Sequence, residues 1–88
     1  MAAGALWRDD LDALQFSAGD DGTHCMVHRL AFRRLVGFPP EAAHCLAFFD
    51  DNAVAFRAAA TDKARRENLS PGRNFHLTSR DVRRHLQG

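Results

Sequence analysis

From Ala42 onward the apolar residues recur at steps of three and four: Ala42, Cys45, Leu46, Phe49, Ala53, Phe56, Ala60 and Ala64. That spacing places them on one face of an α-helix, with Asp50, Asp51, Arg57, Asp62, Arg65, Arg66 and Glu67 mostly off it. Pro39 and Pro40 stop the preceding element. Pro40 and Glu41 suit a first helical turn, where a missing N–H costs nothing and a negative charge is favourable. The stripe predicts a helix from Pro40 to about Asn68. Roughly 28 residues at about 1.5 Å each give a rod near ~42 Å, longer than a domain this small, so it breaks or one end projects. Phe49 and Phe56 are its expected anchors. Phe48 lies about 100° round the helix and must meet a second element, a partner chain or solvent.

Elsewhere the period is two. Ala13 to Ala18 sets Leu14, Phe16 and Ala18 against Gln15 and Ser17, the mark of a half-buried strand. Gly19-Asp20-Asp21-Gly22 is a turn by composition. Thr23 to Val27 returns as a second strand, with Cys25 and Val27 toward the core and His24, Met26 and His28 on the other face. Arg29 to Val36 reads as a short helix closed by Gly37. Leu69-Ser70-Pro71-Gly72 is a further turn. Asn74 to Thr78 alternates as a third strand, Phe75 and Leu77 opposite His76. Thr78 or Ser79 caps a last helix, Arg80 to Leu86, with Asp81 in its first turn. Residues 1 to 12 read as a lead-in from which Trp7 docks on the core. The expected fold is a single α+β domain over residues 1–88: a small antiparallel three-stranded sheet packed against one long helix, with two short helices.

The order and spacing of Phe16, the Asp21-Gly22 turn, Cys25, Val27, Ala31, Phe49, Phe56 with Arg57, Ala60, Lys63, Leu77-Thr78 and Asp81-Val82 resemble a known pattern. The chain is similar, after Leu14, to the small bacterial family catalogued as domain of unknown function 1488. It departs from that pattern at His28, where the family commonly carries a serine that would cap the short helix, and at Ala53, where it commonly carries an arginine. The resemblance implies a compact α+β fold in a cytoplasmic bacterial protein and brings no activity with it.

At 88 residues, 45% hydrophobic and 26% charged, the chain has globular composition and room for one core. No segment is long and apolar enough to span a membrane. The short apolar run at the N-terminus has no basic residue before it, which argues against a secretory signal and for a cytoplasmic location. Cys25 and Cys45 are then expected as reduced, core-filling thiols.

Catalytic and metal chemistry find little support. His24, Cys25, His28, His44 and Cys45 suggest a metal, but Cys25 points away from its two strand neighbours and His44 diverges from Cys45 by about 100°. A Cys25–His76 nucleophile pair would need both side chains on one face, and alternation sets them on opposite faces. No cofactor, metal or membrane partner is expected, and an enzyme is the third-ranked reading.

Charge is unevenly spread. Residues 1 to 27 carry one Arg against five Asp, a net −4; residues 63 to 88 carry seven Lys and Arg against Glu67 and Asp81, a net +5. Two surfaces follow. Phe48, Phe32 and Phe38 exceed what a small core readily covers and mark a face for a protein partner or a homodimer, with Ala55, Ala58 and Ala59 permitting close helix approach. Arg65, Arg66, Arg73, Arg80, Arg83 and Arg84 offer planar forks suited to phosphate. The leading reading is a non-enzymatic protein-interaction or homodimeric module. The alternative is a basic accessory protein contacting nucleic acid through those arginines.

Overall fold

In the computed structural model, which describes residues 4–18 and 22–86, Ala5–Arg8 is not a lead-in but an edge strand, β1. Four residues are too few to display alternation. The pairing displays it instead: Ala5 lies opposite Phe16 and Trp7 opposite Leu14 on the antiparallel β2 (Ala13–Ser17). A tight turn joins the two strands, and Asp12 within it sits at φ 52°, a left-handed conformation that Asp tolerates better than most residues. β2 pairs antiparallel with β3 (His24–His28). Of the expected Gly19-Asp20-Asp21-Gly22 turn between them, all but Gly22 lies outside the described residues.

β4 (Phe75–Leu77) pairs with β3 in parallel. The sheet is therefore four-stranded and mixed, in the order β1-β2-β3-β4, and not three-stranded and antiparallel. The connection explains the direction. From β3 the chain passes through α1 (Arg29–Val36), α2 (Ala42–Asp51) and α3 (Ala53–Arg66), and this crossover returns it to the end of the sheet where β3 began. Alternation reports which face a side chain takes and is the same for either direction.

The single long helix is the second correction. It breaks at Asn52, whose φ of −129° leaves the helical region. The Asn52 side-chain amide donates to the Phe48 carbonyl at 2.9 Å, the local competition with helical bonding to which Asn is prone. A rod near ~42 Å would outrun a body whose longest extent is 33 Å. The break also turns both anchors inward. The Phe49 and Phe56 rings lie 5.2 Å apart, and Phe56 is 5.7 Å from Phe32 and 6.3 Å from Phe16. All four rings are fully buried together with Leu14, Val27, Val82 and both cysteines, and each contributes roughly 1.5–3 kcal/mol.

The helices cover one face of the sheet, that of Leu14, Phe16, Cys25, Val27, Phe75 and Leu77. Gln15, Met26, His28 and His76 take the other by alternation. Arg29 clamps the open end: it bonds Asp12 at 2.8 Å and the Pro40 carbonyl at 2.7 Å and lies over the Trp7 ring. Gly37 closes α1 at φ 85° with its N–H on the Arg33 carbonyl, as the sequence predicts. Among the described residues no helix is long and apolar enough to cross a membrane.

Candidate phosphate-binding groove between α1 and α4

The last helix, α4 (Ser79–Arg83), begins with a reciprocal cap. The Asp81 N–H donates to Thr78 Oγ1 at 3.2 Å, and the Thr78 N–H donates to Asp81 Oδ2 at 2.9 Å. Lys63, on α3, then donates to Asp81 Oδ2 at 3.0 Å and to the His76 carbonyl at 2.7 Å. One lysine thus ties α3, β4 and α4 together. Burial alone would raise the Asp81 pKa, but the Thr78 N–H and Lys63 outweigh it and hold the carboxyl below its ordinary value. The work of Lys63, Thr78, Asp81 and Val82 is structural.

So fixed, α4 packs on α1. Arg83 Nη2 donates to the Arg34 carbonyl at 2.8 Å across a separation of 49 residues. Arg34, Arg80 and Arg83, with Thr78 and Ser79, line a groove of about 410 Å³. Among the described residues no acidic side chain lines it. Among the described residues the Arg34 and Arg80 guanidinium groups make no hydrogen bond or ion pair; Asp81, the nearest acid in sequence, is buried and already paired with Lys63.

Next to this groove His28 and His76 stack, ring centroids 4.7 Å apart and planes 12° apart. His28 occupies the N-cap position of α1 without making a cap hydrogen bond. Burial, and then the nearby His28 and Lys63, hold the His76 imidazole below its ordinary pKa.

The six arginines singled out from sequence do not share one surface. Arg80 and Arg83 enter the groove. Arg84 is exposed at the end of α4 and Arg73 in the turn before β4. Arg66 bonds Asp62 at 3.1 Å and Asp81 at 3.4 Å, and Arg65 lines a separate groove that also holds Asp62 and His85. Arg34 goes unnoticed in the sequence because nothing local connects α1 to α4; the adjacent basic pair Arg33-Arg34 is the only signal.

The aromatic surface needs a larger correction. Phe32 is 0% exposed and cannot meet a partner. Phe48 is half-buried, set edge-on to Phe32 and Phe56 at 6.3 and 6.1 Å. Only Phe38 is open, at 45% exposure. Ala59 is buried, and Ala55 and Ala58 are half-buried.

Both cysteines are free and buried. Burial pushes Cys25 up to about 12 and Cys45 up to about 11. Cys25 faces the core while His76 faces away, as alternation requires. Among the described residues no three His, Cys, Asp or Glu side chains are grouped to hold a metal ion. No family model, curated protein or solved structure matches the chain.

Proposed function

We propose that the protein is a small non-enzymatic module that contacts nucleic acid through its phosphates in the groove between α1 and α4. The observation that carries this reading is the convergence of Arg34, Arg80 and Arg83 on one groove that no acid lines among the described residues. Planar guanidinium forks match phosphate oxygens, and among the described residues neither Arg34 nor Arg80 must give up a partner first. The non-enzymatic part of the reading is supported by the two buried thiols, which carry no useful thiolate near neutral pH.

Anisotropy of a labelled oligonucleotide tests it. Three phosphate contacts predict an affinity that falls roughly 20- to 40-fold between about 50 and 200 mM salt. Arg34→Gln with Arg80→Gln leaves one contact and should flatten that fall to about threefold. An unchanged salt dependence in the double variant would remove the groove as the site.

A second reading, a protein partner or a homodimer, keeps one of its three aromatic anchors. Phe38 stands exposed between α1 and α2, its ring edge-on to His44 at 5.3 Å.

A further inference from the structure

The arginine groove continues into a second one of about 200 Å³, and the two share Arg34, Thr78 and Ser79. The second groove is walled by the stacked His28 and His76 and by Leu30, which is 57% exposed. Both imidazoles are exposed, on the sheet face opposite the core. In the register of β3 with β4 His76 lies opposite Met26, and His28, two residues further along the same face of β3, stacks on it diagonally. The site therefore joins an apolar, π-faced half to a cationic half, with Arg34 common to both.

Resting on the phosphate reading above, we propose that the ligand is single-stranded nucleic acid, one base lying against the His28–His76 pair while the adjoining phosphates lie on Arg34, Arg80 and Arg83. A duplex hides its base faces and presents only edges and backbone, so it would use the arginines and leave the imidazoles and Leu30 without a role. A single strand exposes base faces that stack on aromatic side chains, His among them. The size agrees: about 200 Å³ is below the roughly 300–1,000 Å³ of a drug-sized site and accommodates one ring system. Charge complementarity fixes the orientation, since among the described residues Arg80 and Arg83 line the arginine groove alone and Arg34 stands where the two grooves meet.

The experiment compares three labelled probes of equal length, a single strand, its duplex and an abasic single strand, with inorganic polyphosphate as competitor. The wild-type protein should bind the single strand most tightly. His76→Ala should weaken single-strand binding roughly 10- to 100-fold and leave the abasic strand and polyphosphate within about twofold, while His76→Phe should restore it. Circular dichroism melts confirm that the variants fold. If the abasic strand and the duplex bind as well as the single strand and His76→Ala changes nothing, base stacking is overturned and the phosphate groove stands. If no probe binds and polyphosphate does not either, both readings fall.

Discussion

Asp81→Asn keeps the shape of the side chain at the start of α4 and removes its charge. Lys63 and Asp81 side chains are only 15% and 11% exposed, so solvent does little to screen their 3.0 Å contact, and a charge-assisted bond of this kind is worth about 1.5–3 kcal/mol. Arg66 is 39% exposed and 3.4 Å away, which adds about 0–1 kcal/mol. The amide still accepts from the Thr78 N–H, so most of the cap survives. The variant should be about 1.5–4 kcal/mol less stable at pH 7 in urea unfolding. Acid supplies an independent check. Because the folded Asp81 pKa is lowered from 3.8, its contribution is fully present above that unfolded value and is lost as pH falls through the folded one. The gap between wild type and variant should therefore close below about pH 3.8. Equal stabilities at pH 7, or a gap that persists undiminished in strong acid, would refute the Lys63–Asp81 lock.

Two further outcomes are expected. Phe56→Ala removes the ring that Phe16, Phe32, Phe48 and Phe49 all approach and should cost roughly 3–5 kcal/mol; with total stability near 0.05–0.15 kcal/mol per residue, much of the population should be unfolded at 37 °C by circular dichroism, and a wild-type melting temperature would contradict the central place given to that ring. Phe38→Asp should leave a folded protein whose mass by light scattering equals that of a monomer; a wild-type protein already monomeric at high concentration would end the homodimer reading.

The local code was legible. The alternation in residues 13–18 and 23–27 and around Phe75 and Leu77 assigns the buried face of three strands correctly, Gly37 closes α1 where a left-handed residue was needed, and Thr78 with Asp81 marks the start of α4. Those features depend on a residue and its near neighbours, and so does the α+β class they add up to. β1 escaped notice because four residues do not establish a period, and its partner Leu14 lies across a turn.

What only the tertiary structure decided is who meets whom. Phe49 and Phe56 share a helical stripe whether or not the helix breaks; the break at Asn52 is settled by the length of the body they must both enter. β4 could have run either way with the same alternating faces, and the three-helix crossover makes it parallel, with His76 opposite Met26 and stacked on His28 two residues further along β3. Charge obeys the same rule. A run of arginines counts equally in a sequence total wherever its carboxylates lie. In the fold Arg66 is tied to Asp62 and Asp81, Lys63 pairs with Asp81, and Arg34 arrives from 49 residues away to join Arg83. A cation's capacity to hold a phosphate depends on the charges within a few ångströms of it, and those distances are set by packing.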